Sequence, residues 1–226
     1  MGKPAAVTTV IWLLAQALTT AVACLLLLSP TFAAWMGAGL PWLPTREIVP
    51  VRAALLSAGL LVLLVRMALT SLVLLPREIG PEEAVSVGVW LGTIHFGIAL
   101  AGIGNASPVG PVALTGGALF IAGSFLNSFP ELQRKRFKQR PENRGRLYTG
   151  GLFSLSMHIN YCGDIIWAVG LAMMTGSIWS AAIPGVMTLM FVFFHIPRLD
   201  AYLAEKYGEE FSAYSRGTRK LIPWIY

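Results

Sequence analysis

The chain has 226 residues, of which 55% are hydrophobic and only 12% charged, and it carries a formal net charge of +6 at pH 7. Soluble globular domains contain about 25% charged residues, so this composition excludes a soluble fold and a large catalytic domain outside the membrane. In so hydrophobic a chain, the basic excess is typical of cytoplasmic loops rather than of nucleic-acid binding.

Six apolar stretches, bounded by proline, glycine and charged residues, predict an all-α, polytopic membrane helix bundle. In chain order they are 7–28, 53–75, 85–104, 112–129, 158–176 and 178–194. A helix crosses the hydrocarbon core with about 20 residues and satisfies its own backbone hydrogen bonds there. The first stretch is longer than the apolar core of a signal peptide, which favours an uncleaved span. The last two stretches contain polar residues and Pro184, so a helix-turn-helix hairpin that crosses incompletely is the alternative for them.

The basic residues test this topology because they do not enter its definition. With both termini in the cytoplasm, fourteen Lys and Arg residues fall on the cytoplasmic side, against two, Arg46 and Arg52, on the opposite side. The positive-inside rule therefore predicts a multi-pass protein with cytoplasmic termini, in the plasma membrane of a bacterium or the endoplasmic reticulum of a eukaryote. Membrane lipids are its expected surroundings, with candidate interfacial anchors at Trp35, Trp42, Trp179 and Trp224.

Two ionisable side chains inside the early spans need an explanation. Arg66 lies near the middle of the second stretch, and His95 lies in the third. An arginine at such a depth costs about 2.5–3.5 kcal/mol on insertion scales unless a partner or water compensates it, so a functional role is the default hypothesis. An interhelical hydrogen bond is the alternative for Arg66, and a bond to a neighbouring carbonyl is the alternative for His95.

The composition changes after Pro130, where residues 131–147 include seven basic residues among seventeen. Such a segment ordinarily contacts anionic headgroups. Because Arg134 and Lys138 are four residues apart, they share one face of a helix and can also grip an anionic cofactor. This change predicts an N-terminal four-helix membrane region, 1–130, and a C-terminal cofactor-binding region, 131–226.

The densest group of polar residues opens the fifth stretch. His158, Asn160, Tyr161 and Asp164 fall within seven residues, and on a helix they form two adjacent stripes. Four hydrogen-bonding side chains at the mouth of an apolar helix are costly unless they face a ligand, a cavity or one another. This group is the main candidate site. No metal site is predicted, since no cysteine or histidine cluster has the spacing of metal ligands.

The segment 198–226 mixes both charges with aromatic residues at helical spacing. Such a pattern predicts an amphipathic cytoplasmic helix that lies on the bundle.

Three segments of this region together resemble a known protein family. They read QRKRFK at 133–138, GGLFSLSMHINYCGD at 150–164, and RLDAYLAEKYGEEFSAY followed by KLIPWIY in 198–226. They are similar to the C-terminal region of integral-membrane sterol and steroid reductases, including the steroid 5-alpha-reductase-like proteins. They also resemble the isoprenylcysteine carboxyl methyltransferases. The resemblance covers residues 131–226.

The resemblance implies a cytoplasm-facing pocket in which a nucleotide-bearing cofactor meets a lipophilic substrate from the bilayer. The cofactor is NADPH in the reductases and S-adenosylmethionine in the methyltransferases. By matching position, Arg134 and Lys138 are expected to hold phosphate. The remaining expected cofactor contacts are His158, Asn160, Tyr161, Asp164, Arg198, Asp200, Lys206 and Tyr207. The candidate catalytic residues are His95 and Tyr161.

The first functional hypothesis is an NADPH-dependent reductase that acts on a C=C bond of a steroid-like or isoprenoid substrate, because the GD after NY is more like the sterol reductases. The chain departs from that pattern at Met157 and His195, where the reductases have arginine, and no tyrosine precedes Tyr148 to act as an acid. The alternative is an S-adenosylmethionine-dependent methyltransferase of a lipophilic carboxylate or thiol, which needs positioning more than an acid. A non-catalytic lipid-binding protein is a third hypothesis. No protein partner is predicted.

Overall fold

A computed structural model describes residues 3–40, 49–74 and 79–226, with side chains from Val7 onward. Several residues that the sequence singles out lie outside this description: Trp42, Arg46, Arg77 and Glu78.

In the described part of the chain, the regular structure is entirely helical. The nine α-helices are α1 (Lys3–Leu28), α2 (Pro30–Gly39), α3 (Pro50–Leu69), α4 (Pro81–Ile103), α5 (Pro111–Lys138), α6 (Ile159–Thr175), α7 (Ala182–Met190), α8 (Ile196–Tyr207) and α9 (Glu209–Gly217). Two π-helical segments, Thr70–Leu74 and Phe191–His195, extend α3 and join α7 to α8. Short 3₁₀ turns lie at Pro141–Asn143, Gly151–Ser154 and Ile178–Ala181.

Five helical stretches are long and apolar enough to cross a membrane. They are Val7–Leu28, Pro50–Leu74, Pro81–Ile103, Pro111–Lys138 and Ile178–Tyr207. The remaining predicted stretch forms the shorter apolar helix α6, which has 17 residues. At 1.5 Å per residue α6 is about 26 Å long, slightly less than the hydrocarbon core. The predicted membrane helix bundle is confirmed, with five long helices and one short one.

Proline and serine residues explain where several helices begin. Pro30, Pro50 and Pro81 occupy the first turn of α2, α3 and α4, where the missing N–H costs nothing. The Ser29 hydroxyl also accepts a hydrogen bond from the first turn of α2. These signals are local in the sequence, so α3 and α4 begin within four residues of the predicted stretches, whereas α2 corresponds to none of them.

The chain divides into two compact units. Unit 1 comprises Met1–Ala118 and Val169–Ile183, and within it α1 packs against α3 and α4. Gly88 and Gly92 lie on the face of α4 that meets α1, and a Cβ at Gly88 would lie 3.5 Å from Gln16 Nε2. The two glycines, four residues apart, therefore allow α4 to approach α1 closely.

Unit 2 comprises Leu119–Ala168 and Pro184–Tyr226. Glycines bring α5 and α6 together in this unit, because a Cβ at Gly123 would overlap the backbone of Trp167. The helix α5 runs unbroken through Pro130, so the region boundary expected there falls inside a helix. One buried hydrophobic cluster in unit 2 comprises Phe153, Ile159, Cys162, Ile196 and Leu221.

The C-terminal segment differs from the single amphipathic helix predicted for it. Arg198 lies in α8, which forms the C-terminal part of the last membrane stretch, Ile178–Tyr207. Gly208, with φ of 49°, separates α8 from α9 and adopts a backbone conformation that favours glycine. After α9, Thr218 has an extended backbone and the following residues form bends and a turn, and the N–H of Met157 donates to the Arg219 carbonyl over 2.8 Å.

Candidate functional site

The predicted polar group gathers at the start of α6. His158 immediately precedes the helix, and Asn160, Tyr161 and Asp164 lie in its first two turns. His158 is buried, while the other three side chains are partly buried. The prediction that these residues share the mouth of an apolar helix is thus met in the fold, and each side chain has contacts that the sequence spacing does not specify.

His158 is held by a charged pair from the C-terminal part of unit 2. Its Nε2 lies 2.9 Å from Asp200 Oδ1, and Asp200 Oδ2 lies 3.1 Å from Lys220 Nζ. The backbone N–H of His158 donates to the Lys220 carbonyl over 3.0 Å. Because the carboxylate only accepts, the hydrogen on the His158 ring resides on Nε2.

Tyr161 is clamped between two other rings. It stacks on His158 at a centroid distance of 5.6 Å and on Phe191 at 4.5 Å, with interplanar angles of 9° and 12°. The His195 ring meets it edge-on at 6.5 Å. Phe191 and His195 come from the π-helical segment, whose widened turn presents both rings to α6. The stack fixes the orientation of the Tyr161 ring.

Glu131 is a site residue that the sequence patterns do not mark. Its Oε1 accepts a hydrogen bond from Asn160 Nδ2 over 3.1 Å, and its Oε2 forms an ion pair with Arg134. The three-residue spacing of Glu131 and Arg134 on one helix is the signal that the sequence does contain. Arg134 is therefore engaged by a carboxylate of its own helix.

Asp164 makes a local contact, since its Oδ1 accepts a hydrogen bond from Trp167 Nε1 over 2.7 Å. This bond joins two residues that are one turn apart on α6. Asp164 still contributes to the electrostatics around Tyr161. The charged groups within electrostatic reach of that ring are Glu131, Arg134, Asp164 and Asp200.

Three of the remaining predicted cofactor contacts, Lys138, Lys206 and Tyr207, lie near the end of α8. Lys138 Nζ donates to the Tyr207 hydroxyl over 3.1 Å and to the Arg146 carbonyl. Lys206 Nζ donates to the Tyr202 hydroxyl over 2.7 Å. Arg198 is exposed on α8. Whether any of these groups binds a cofactor stays a prediction.

Tyr214 of α9 fastens the C-terminal segment to the turn before α6. Its hydroxyl donates to the Phe153 carbonyl, and burial raises the pKa of this hydroxyl above its ordinary value. Tyr214 thus stays a neutral donor at physiological pH and supports the segment that carries Lys220.

His95 is the one predicted site residue in unit 1. It is 1% exposed, and its Nδ1 lies 2.7 Å from the Leu91 carbonyl while its Nε2 lies 3.1 Å from Thr20 Oγ1. Both ring nitrogens therefore have partners within the unit. A catalytic role for His95 stays a prediction, while the hydrogen bond to a neighbouring carbonyl, its structural alternative, is observed. Arg66 is also buried in unit 1.

We call the group around the central ring the Tyr161 cluster. It consists of Glu131, Arg134, His158, Asn160, Tyr161, Asp164, Phe191 and Asp200. It contains three carboxylates, of which Glu131 is paired with Arg134 and Asp200 with Lys220, together with stacked aromatic rings. Carboxylates and aromatic rings both attract cations, so Asp164 and the Phe191 ring suit a ligand that carries positive charge.

Comparison with known proteins places the chain among sequences with a shared domain. The family model for DUF1295, described as a protein of unknown function, matches residues 85–218. That match covers more than half of the chain and includes every residue of the Tyr161 cluster.

The chain is also similar to proteins named as methyltransferases. It is 35% identical over 123 residues to a probable O-methyltransferase, ustE, of Ustilaginoidea virens, a match that covers 51% of this chain and 42% of that protein. It is 28% identical over 88 residues to protein-S-isoprenylcysteine O-methyltransferase B of Arabidopsis thaliana, covering 39% and 45% respectively. The chain therefore spans less than half the length of these curated relatives. The matches confirm the resemblance to isoprenylcysteine methyltransferases.

Proposed function

This chain belongs to the DUF1295 family, and from that premise we propose that it is a membrane-embedded, S-adenosylmethionine-dependent methyltransferase of a lipophilic carboxylate or thiol. The names of its relatives support methyl transfer better than reduction, which was the first hypothesis from the sequence. Family membership is the support that remains for an NADPH-dependent reductase.

The observation that carries this proposal is the charge of the Tyr161 cluster. NADPH carries several phosphate charges and needs cations that are free to bind them. Arg134 is paired with Glu131, and Lys138 donates to Tyr207 and to a backbone carbonyl, so both expected phosphate ligands have partners within the chain. Glu131 and Asp200 are paired in the same way, with Arg134 and Lys220, so Asp164 and the stacked aromatic rings are the groups that favour a cofactor with cationic groups.

S-adenosylmethionine fits these residues. When bound, it supplies a methyl group on a positively charged sulfur, and it also carries an ammonium group. The face of Phe191 that is turned away from Tyr161 would stabilise the sulfonium, and Asp164 would accept from the ammonium. His158 is held by Asp200 and stacks on Tyr161, which stacks in turn on Phe191, so His158 positions the aromatic contact.

Methyl transfer requires little acid–base catalysis from the protein. A carboxylate acceptor is already ionised at neutral pH, so no side chain has to remove a proton from it. The rigid stack of His158, Tyr161 and Phe191 would instead hold the two reactants in line, which alone lowers the barrier by several kcal/mol. The scarcity of acidic and tyrosine side chains in the early spans agrees with this requirement.

The proposal predicts that the purified protein binds S-adenosylmethionine selectively. We expect S-adenosylmethionine to raise the unfolding temperature in detergent, while NADPH and NADH leave it unchanged. At about 100 times its dissociation constant, a ligand adds about 2.7 kcal/mol to the free energy of unfolding of a two-state protein. Transfer of a labelled methyl group to the carboxylate of a farnesylated cysteine, compared with transfer to a long-chain alkyl thiol, would then identify the acceptor class.

Each opposite result assigns a different function. A shift with NADPH alone would contradict methyl transfer and support the reductase. No shift with any of the three compounds would favour the non-catalytic lipid-binding protein.

A further inference from the structure

Unit 2 contains a cavity whose lining carries basic and hydroxyl groups. Its volume is about 440 Å³. It lies between the 3₁₀ turn Gly151–Ser154 and the chain that follows α9. Its polar wall is made by Ser154, Ser215, Arg216, Thr218 and Arg219, and Trp224 forms an apolar side. None of these residues is in the Tyr161 cluster.

The two arginines of this cavity differ from the two lysines of the C-terminal segment. Lys220 pairs with Asp200, and Lys206 donates to a tyrosine hydroxyl. Within the described ranges, by contrast, neither Arg216 nor Arg219 has a carboxylate within ion-pair distance. Two guanidinium groups on one wall repel each other, and an anion between them would remove that repulsion and accept hydrogen bonds from both.

The cavity wall that carries Arg219 is held by backbone hydrogen bonds. The Arg219 carbonyl accepts from the Met157 N–H over 2.8 Å, and the Ser156 hydroxyl donates to the Leu221 carbonyl over 2.8 Å. Leu221 is 1% exposed. The backbone at Arg219 is therefore ordered before a ligand binds, which reduces the conformational entropy lost on binding.

An exposed apolar surface adjoins the two arginines. Trp224 is 80% exposed and Ile225 is 75% exposed, in a chain that spans a membrane. Tryptophan is enriched at the level of the lipid headgroups, where its ring contacts the acyl chains and its N–H faces the polar headgroups. Arginine forms bidentate hydrogen bonds with phosphate at the same level. An apolar surface and a phosphate-binding wall side by side match the two parts of an anionic lipid.

We propose that the cavity bounded by Arg216, Arg219 and Trp224 binds the phosphate group of an anionic membrane lipid. Ser154, Ser215 and Thr218 supply further hydrogen-bond donors to the phosphate oxygens, and Trp224 contacts the chains. The proposal is independent of methyl transfer, because it uses other residues and another ligand.

A binding experiment on the full chain in detergent tests this site. The probe is dioctanoyl phosphatidic acid. Dioctanoylglycerol serves as the matched lipid without phosphate, and inorganic phosphate serves as the soluble anion. The double variant R216A/R219A should weaken binding of phosphatidic acid at least about tenfold, because it removes the charge-assisted hydrogen bonds of two guanidinium groups to the phosphate.

The matched control is R140A/R144A, which removes the same charge from exposed arginines that do not line the cavity. We expect it to change the affinity less than about twofold, as only the screened surface charge is altered. If R216A/R219A fails to fold, R216K/R219K keeps the test open: it should fold and retain phosphatidic acid binding, though more weakly than the wild type.

Three outcomes would overturn the proposal. Equal loss in the two alanine double variants would show attraction to net charge alone. Binding of dioctanoylglycerol as tight as that of phosphatidic acid would show an apolar groove without phosphate recognition. Binding of inorganic phosphate as tight as that of phosphatidic acid would assign the cavity to a soluble anion instead of a lipid.

Discussion

Asp200 is the single residue on which the arrangement of the Tyr161 cluster most depends. One carboxylate oxygen meets His158 and the other meets Lys220, so the same group orients a buried ring and holds the C-terminal segment. An asparagine here would offer one acceptor oxygen instead of two, so either the buried His158 N–H or the Lys220 ammonium would lose its acceptor, which is costly.

We therefore expect Asp200→Asn to lower the free energy of unfolding by about 1–3 kcal/mol. The variant keeps the shape of the side chain but loses its charge. We therefore expect the rise in unfolding temperature caused by S-adenosylmethionine to fall by a larger fraction than the free energy of unfolding does. Thermal unfolding with and without the cofactor measures both effects.

Glu205→Gln is the matched control, since Glu205 is exposed on the same helix and its change also removes one carboxylate. If Asp200→Asn and Glu205→Gln behave alike in both measurements, Asp200 does not position the cluster.

Among the elements, α3 is held to its neighbours in unit 1 by an arginine that lies just before the predicted second stretch, 53–75. Arg52 lies in the first turn of α3 and is 2% exposed. Its Nη1 donates to the Met174 carbonyl over 2.9 Å, and its Nη2 donates to the Ser107 carbonyl over 2.8 Å. The first acceptor belongs to the last turn of α6, where the carbonyls have no partner in their own helix.

Arg52→Met should therefore destabilise the protein by about 2–4 kcal/mol, because it removes several charge-assisted hydrogen bonds and leaves buried carbonyls unpaired. Arg52→Lys should recover only part of this loss, since one ammonium cannot reproduce the two arms of a guanidinium. Chemical denaturation in detergent distinguishes the three proteins.

A surface arginine provides the comparison. Arg140→Met changes the same atoms at an exposed position and should have almost no effect on stability. An Arg52→Met protein as stable as the Arg140→Met protein would contradict the capping role of Arg52.

At the scale of the whole molecule, orientation in the membrane is the property that the basic residues predict. The distribution of Lys and Arg places the segment after α5 in the cytoplasm and the connection between α4 and α5 on the opposite side. Cysteines at Arg140 and Ala106 sample these two segments, and both positions are exposed.

We expect a membrane-impermeant maleimide added to intact cells to label Ala106→Cys and to leave Arg140→Cys unlabelled until the membrane is opened. The native Cys162 is buried and Cys24 is partly buried in α1, so their labelling is measured in the unsubstituted protein. The reverse pattern, with Arg140→Cys labelled first, would contradict the predicted orientation.

The membrane helices could be predicted because their signal is local. Apolar length and the prolines at helix starts are read from consecutive residues, and the lipid requires each helix to satisfy its own backbone. The divided C-terminal segment is different, because its apolar and charged residues continue the helical pattern on both sides of Gly208. Only the backbone conformation of that glycine ends α8.

The sequence by itself determined the class of fold and the first half of the candidate site. His158, Asn160, Tyr161 and Asp164 are neighbours in the chain, so their density alone marks them. Tertiary structure decided which distant groups meet them: Glu131, Phe191, Asp200 and Lys220. The pairing of Arg134 and the capping by Arg52 were likewise decided there. The physical reason is that helix formation and lipid solubility depend on nearby residues, whereas the partner of a polar side chain depends on which helices pack together.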